Sequence, residues 1–186
     1  MSGSAGGIAR LAVREIWPGD ELKFQAKAAP GGTGGGARDM RFRPYTRFDD
    51  VFGRILSGRD RFERKRSGQK QLVTVYTSPV SVRNPGGDHQ TVMIFEPPTD
   101  ARGDEGRVTK IHQLGLVIPA RKGSRLLFLV GQMASGDAFT TVAREQDIPH
   151  WHDDVAGLLT RVLSSNRKNK ASAGYVDFVT GGSYAG

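Results

Sequence analysis

Apolar and polar residues alternate along much of this chain with the period of two that is typical of β-strands. Strand character is found at residues 9–16, 21–26, 71–82, 90–96, 107–112, 125–132, 139–144 and 175–179. Residues 38–43 are expected to be extended because Pro44 disfavours a helical residue before it. Turn residues separate the strands, with Pro18-Gly19-Asp20 predicting a hairpin between the first two. The pattern predicts a mainly β protein.

Two segments change to the helical period of 3.6 residues. The first carries five apolar residues on one stripe, which are Phe48, Val51, Phe52, Ile55 and Leu56. The second begins near Pro149 and carries Trp151, Val155, Leu158, Leu159 and Val162. The order of strands, helix, many strands and helix predicts an open β pseudobarrel of the seven-stranded type with two short helices, and argues against a doubly wound α/β sheet.

The 186 residues suffice for one domain core. We expect residues 1–7 to be a flexible N-terminus, residues 8–163 to form the pseudobarrel, and residues 164–186 to be a linker or C-terminal extension. Residues 59–70 are expected to be a charge-rich connector. Within this segment, residues 59–66 have two interpretations, a third phosphate contact or a solvated connector, and the connector is preferred because charge runs are usually solvated.

Positive charge is concentrated in one part of the chain. The formal net charge is +8, and residues 38–70 hold eleven Arg or Lys against five Asp or Glu. This surplus favours a polyanionic partner. The absence of cysteine removes disulfides and thiol nucleophiles and agrees with a reducing compartment, and no apolar run has membrane length. A cytoplasmic protein with no membrane partner is therefore expected.

No motif predicts catalysis. The glycine loop at residues 31–36 lacks the Lys and Ser or Thr of a phosphate-binding P-loop. His150 and His152 are two positions apart, so a helix does not bring them to one face. We expect no catalytic residue, no metal ligand and no cofactor, with a metal-dependent nuclease of unrecognised site kept as an alternative.

Two loops carry residues suited to nucleic acid. The glycine loop allows close backbone approach, and the arginines after it supply forked donors suited to phosphate or guanine. The loop at residues 100–110 mixes Arg, Glu and Gly; in the major groove Arg can clamp guanine while Glu accepts from cytosine. Taken alone, that second loop fits a solvated turn with an internal ion pair better.

The two loops together resemble a known family. The stretch from Lys23 to Phe52, with its Thr33-Gly34-Gly35 pattern, resembles the N-terminal effector-binding domain of EcoRII-type restriction endonucleases. The loop from Arg102 to Lys110 resembles that domain's second DNA-contacting arm, and the strand pair and closing helix at residues 126–163 are also similar. That family has the DNA-binding pseudobarrel shared with plant B-three transcription factors, whose two arms grip the major groove.

The resemblance implies sequence-specific binding of double-stranded DNA, as the target-recognition module of a restriction or defence protein. The predicted DNA contacts are Lys27, Thr33, Gly34, Gly35, Gly36, Arg38, Arg41 and Arg43 in and after the first arm, and Arg102, Glu105, Arg107, Thr109 and Lys110 in the second. Glu105 and Arg107 are expected to read bases and Lys110 to contact phosphate, while Gly106 stands where the family has a lysine. The family's nuclease domain has no counterpart after Leu163, so a separate or fused nuclease partner is implied.

Two further classes of function fit the same residues. A basic β-barrel could bind RNA or single strands by stacking bases on Tyr45 or Phe62. A ribosomal or scaffold protein could use the charge only to coat a complex. Competition between duplex DNA and single strands distinguishes the RNA or single-strand binder from a duplex binder. The ribosomal or scaffold protein is expected to have no affinity for naked duplex.

Overall fold

The computed structural model describes residues 7–25, 38–66, 69–98, 103–150, 157, 160–162, 164 and 172–186. The strands are β1 (Ile8–Ile16), β2 (Met40–Phe42), β3 (Gly58–Arg66), β4 (Gln69–Val82), β5 (His89–Glu96), β6 (Gly106–Val108), β7 (Leu126–Met133), β8 (Ala138–Arg144), β9 (Ala173–Asp177) and β10 (Gly182–Ala185). Helix α1 spans Tyr45–Ile55, and 3-10 helices lie at Pro18–Phe24, Ile111–Gln113 and Glu145–His150.

The described strands form a single curled, open half-barrel sheet. Its order is β10-β9-β1-β7-β8-β4-β5-β6-β2, and β3 pairs with the first part of β4. The pairings are antiparallel apart from the short parallel contact between β4 and β8. The predicted mainly β pseudobarrel is confirmed, and the described sheet has 10 strands.

The core occupies both faces of the central strands. On β1, Ala12 and Ile16 join the cluster that contains helix α1, whereas Leu11 and Val13 pack on the other face with Ile148 and Val162. The predicted stripe of α1 is buried, with Phe48, Val51, Phe52, Ile55 and Leu56 at most 2% exposed. This burial orients the helix against the strands that carry the candidate site.

The predicted strand at residues 21–26 is wrong, because a 3-10 helix occupies Pro18–Phe24. Pro18 presets a helical φ angle at the start of this helix. The Asp20 carboxylate accepts from the backbone N–H of Trp17 at 3.2 Å and pairs with Arg14 at 3.1 Å. These local bonds compete with a strand ladder, and the hairpin does not form.

The connector predicted at residues 59–70 is also wrong as secondary structure, although Asp60, Arg61, Glu63 and Lys70 are exposed to solvent as expected. Gly58–Arg66 forms β3, which pairs antiparallel with β4 from Gly58↔Thr77 to Arg66↔Gln69. Phe62 lies opposite Val73, and the exposed Asp60 lies opposite the buried Val75, so the alternation of buried apolar residues belongs to β4 rather than to β3. Charged residues occupy both alternating sets of positions in β3, so its own sequence gives no strand signal, and the strand forms through its backbone pairing with β4.

The sheet extends past residue 163, the predicted domain boundary. Strand β9 pairs with β1 in the register Leu11↔Val176, and β10 pairs with β9. Most of the predicted second helix lies outside the described residues, although 160–162 and 164 are helical and Val162 is fully buried. Among the described residues, no helix is long and apolar enough to cross a membrane.

Candidate nucleic-acid interface

Strands β2 and β6 form one edge of the sheet and alternate strictly between core and polar side chains. Their core side holds Met40, Phe42 and Val108, all fully buried. The register aligns Arg41 with Arg107, and Arg107 with Glu96 of β5. Since side chains alternate along a strand, the remaining residues share the opposite side. We call this side the edge face, and it consists of Asp39, Arg41, Arg43, Glu96, Glu105, Arg107 and Thr109.

Arg107 ties three strands together through two acidic partners. Its Nη1 lies 3.3 Å from Asp39 Oδ2 and its Nη2 lies 3.1 Å from Glu96 Oε2. Its side chain is 14% exposed, and the two acidic residues are buried. Burial raises the pKa of Asp39, since desolvation and the nearby Glu96 charge outweigh the attraction of Arg107. Arg107 therefore pairs with two buried carboxylates and so links β6 to β5 and to the start of β2.

Glu105 holds the other two arginines of the edge face. Its side chain is 3% exposed, its Oε1 contacts Arg43 Nη2, and its Oε2 lies 3.4 Å from Arg41 Nε. The Arg41 contact lacks hydrogen-bond geometry, so Oε2 has no hydrogen bond among the described residues. The side chains of Arg41 and Arg43 are 38% and 52% exposed. A buried carboxylate thus orients two arginines that still reach solvent.

A positive region borders the edge face where β6 ends. Lys110 is exposed, and the backbone N–H of Ile111 donates to the carbonyl of Arg38 at 3.0 Å, which places these residues side by side. Burial, followed by the charges of Arg38 and Lys110, lowers the pKa of His112 and keeps it neutral at physiological pH. The buried hydroxyl of Thr109 has no hydrogen-bond partner among the described residues.

Packing explains the glycine at position 106. A Cβ there would overlap the ring of Phe95 and would come within 2.9 Å of the ring of Tyr45. The end of the second loop is also fixed to helix α1, because the backbone N–H of Tyr45 donates to Asp104 at 3.0 Å. The core beneath β6 therefore excludes a lysine at this position.

The structure brings together five predicted contacts on the edge face and places two beside it. Arg41, Arg43, Glu105, Arg107 and Thr109 belong to the face. The other two are Arg38 and Lys110. The predicted contacts Lys27, Thr33, Gly34, Gly35, Gly36 and Arg102 lie outside the described residues.

Sequence reasoning missed Asp39 and Glu96, the partners of Arg107. The alternation of Asp39-Met40-Arg41-Phe42-Arg43 contains a signal for Asp39, because every second residue is charged. Glu96 has no such signal, since its place depends on how β5 pairs with β6. Partners across strands are set by register rather than by neighbouring sequence.

Two observations bear on the alternative functions. Among the described residues, no group of three or more His, Asp or Glu side chains could hold a metal ion. Tyr45 donates its hydroxyl hydrogen to Asp49, and its ring stacks on Phe95 with the ring centres 6.2 Å apart, so this ring packs against the core.

No protein-family model matches the chain, and no curated protein matches it at a significant level.

Proposed function

We propose that this chain binds double-stranded DNA through the edge face. The observation that carries the proposal is the pair of arginines, Arg41 and Arg43, oriented by the buried carboxylate of Glu105 and still partly exposed. A guanidinium has five N–H donors in a fixed fork, so donors not used by Glu105 can contact phosphate. Arginines already held in place lose less side-chain entropy when they bind.

The surrounding charge supports a polyanion as the partner. Arg38 and Lys110 stand beside the edge face, and the chain as a whole has a formal net charge of +8. Contacts of such cations with phosphates release counterions and make affinity strongly dependent on salt. We assign phosphate contacts to Arg38, Arg41, Arg43 and Lys110.

Base reading by Glu105 and Arg107 is the second part of the proposal. Both side chains are engaged in ion pairs, so reading a base requires them to exchange these partners for base edges on binding. Each good bidentate contact between a side chain and a base discriminates by about 1–3 kcal/mol. If the pairs stay closed, Glu105 acts as a positioning residue for Arg41 and Arg43, and Arg107 holds the carboxylates of Asp39 and Glu96.

The resemblance to the EcoRII-type effector-binding domain supports a role as the target-recognition module of a restriction or defence protein. In that role a separate or fused nuclease supplies cleavage. The proposal for this chain concerns DNA recognition alone.

The first test is selection from a pool of random duplexes at two salt concentrations, with single strands of equal length as competitors. We expect enrichment of one short motif and weaker binding at higher salt. Retention of single strands in preference to duplex, or no binding of either, would overturn the proposal. Salt-sensitive duplex binding without a motif would remove the base-reading part and leave the phosphate contacts.

Two variants distinguish phosphate contact from base reading within the edge face. Arg43→Ala is expected to weaken binding to every duplex alike and to reduce the slope of log K against log salt by about 0.9, the value for one phosphate contact. Arg107→Lys keeps the charge but loses the fork, and is expected to relax the sequence preference. Lys122→Ala, in an exposed turn before β7, is the control and should leave both unchanged. Equal losses on specific and random duplexes from Arg107→Lys would contradict base reading by Arg107.

A further inference from the structure

The first half of β4 leaves the main sheet and pairs with β3. Strand β5 pairs with β4 only from Tyr76 onwards, whereas β3 pairs with it back to Gln69. In the described part of the chain, Asp60–Arg66 and Gln69–Val75 therefore form a two-stranded extension, which we call the ribbon. Two-stranded ribbons fit the major groove of DNA, which is about 12 Å wide.

Half of the net charge of the chain belongs to the ribbon and its root. Residues 58–72 contain six Arg or Lys and two Asp or Glu, a net charge of +4 out of +8. Arg61 is exposed, and the Lys70 side chain is 74% exposed in a surface pair with Glu63. Such surface pairs contribute little energy, so a phosphate can replace Glu63 at small cost. Among the described side chains of the ribbon, Leu72 is the one large apolar side chain that is exposed. Insertion into a lipid layer needs a larger apolar surface, so a membrane is disfavoured as the partner of the ribbon.

The root of the ribbon is fixed to helix α1. Arg59 donates to the carbonyls of Gly53 and Leu56 at 3.0 and 2.9 Å, and its guanidinium lies 4.1 Å from the ring centre of Tyr76. The Tyr76 hydroxyl in turn donates to Asp49 of α1. Arg59 is thus occupied in the fold, and the cations beyond it extend from a fixed base.

The ribbon lies close to the edge face in the same sheet. From β4, the next strands are β5, β6 and β2, and Tyr76 at the root is paired with Phe95, which precedes Glu96 of the edge face. Three strand spacings of about 4.8 Å separate β4 from β2, or about 14 Å. A duplex seated on the edge face therefore passes near the root of the ribbon.

We propose that the ribbon is a further DNA-binding element, which contacts phosphates of the duplex that the edge face binds. This inference rests on the proposed function, because the edge face seats the duplex. The seven paired residues of β3 from Asp60 to Arg66 span about 24 Å at 3.4 Å each. At 3.4 Å per base pair, a ribbon of this length extends the bound DNA by at most about seven base pairs on one side.

The test compares Lys70→Gln with Lys122→Gln, which removes the same charge from an exposed turn before β7, a strand that pairs with β1 and β8. We expect Lys70→Gln to reduce the slope of log K against log salt by about 0.9 and Lys122→Gln to leave it unchanged. The double variant Arg61→Gln with Lys70→Gln should reduce the slope by about 1.8. Unchanged urea midpoints would show that all three variants keep the fold.

The length of the duplex provides a second measurement. A general effect of the protein's net charge would not depend on which flank of the duplex is trimmed. Trimming up to about seven base pairs from the flank that contacts the ribbon should weaken binding of the unmodified protein more than binding of the double variant, which lacks two of the five cations of the ribbon. An unchanged salt slope in the double variant, or equal sensitivity to trimming, would overturn the ribbon contact. If Arg43→Ala still weakens binding in that case, the proposed function stands. If the unmodified protein binds no duplex, both proposals fail together.

Discussion

The edge face and the ribbon both carry several cations, but acidic residues balance these cations only in the edge face. In the edge face, three arginines face three acidic residues, Asp39, Glu96 and Glu105, each at most 7% exposed. In the ribbon, cations outnumber acids, and the pair between Lys70 and Glu63 is open to solvent. Buried pairs fix geometry, whereas an uncompensated exposed charge acts through the field. On our proposal, both regions contact phosphates, but only the edge face orients its arginines with buried carboxylates.

Helix α1 joins the two regions. One oxygen of Asp49 accepts hydrogen bonds from Tyr45, which follows β2, and from Tyr76, at the root of the ribbon. Burial raises the pKa of both phenols, and the bonds to Asp49 add to the shift. Both hydroxyls therefore stay protonated and donate at all physiological pH values.

The largest expected effect separates the two regions by stability. Arg107→Ala leaves Asp39 and Glu96 buried without their cation, and we expect the free energy of unfolding to fall by about 3–5 kcal/mol. The ribbon variant Arg61→Ala should change it by at most about 0.5 kcal/mol, since Arg61 is exposed. Urea denaturation measures both values. A loss below about 1 kcal/mol for Arg107→Ala would contradict the structural role of this arginine.

The next largest effect tests the contact through Asp49 that links the edge face and the ribbon. Asp49→Ala leaves two partly buried hydroxyls without their acceptor, and should lower the free energy of unfolding by about 1–3 kcal/mol. The matched control is Asp50→Ala, because the Asp50 side chain is 75% exposed and pairs only across the helix surface with Arg54. Equal losses in the two variants would show that the shared acceptor is not what stabilises this contact.

A smaller effect distinguishes the two roles of Glu105. If its carboxylate competes with phosphate for Arg41 and Arg43, Glu105→Gln should raise the affinity for random duplex by up to about tenfold, or about 1.4 kcal/mol. Glu63→Gln in the ribbon removes the same charge from an exposed pair and should have the weaker effect. A loss confined to the selected motif would instead identify Glu105 as a base reader. Titration of fluorescent duplexes distinguishes these results.

The smallest effect is a dependence of stability on pH. Because the pKa of Asp39 is raised in the folded state, the folded protein holds this proton more tightly than the unfolded chain does. Stability contributed by the protonated group is therefore lost as pH rises from the ordinary value of 3.8 through the raised value. Asp39→Asn should lack this loss in urea midpoints measured across that range, while Asp88→Asn, in an exposed turn, should keep it. An unchanged profile for Asp39→Asn would contradict this assignment.

Patterns of local sequence were sufficient for the helix and for most strands. The stripe from Phe48 to Leu56 predicts α1, and the alternating stretches predict β1, β4, β5, β7 and β8 with small differences at their ends. They failed where a strand has no apolar alternation of its own, as in β3, and where side chains bond to the local backbone, as around Asp20. The arginines of the candidate site could be predicted because cations before and after a glycine-rich loop can be recognised in the sequence without knowledge of the residues with which they pair.

The sequence by itself determined the mainly β class, the position of α1 and the location of the positive charge, because these depend on period and composition. Only the tertiary structure decided which arginines are held by buried acids and how far each of them reaches solvent. That difference depends on register: Arg107 meets Glu96 because β5 and β6 pair at that residue, and a shift by one position would turn the face inward. The register is set by burial of Met40, Phe42 and Val108 on the opposite side, a property of the packed sheet rather than of any single segment.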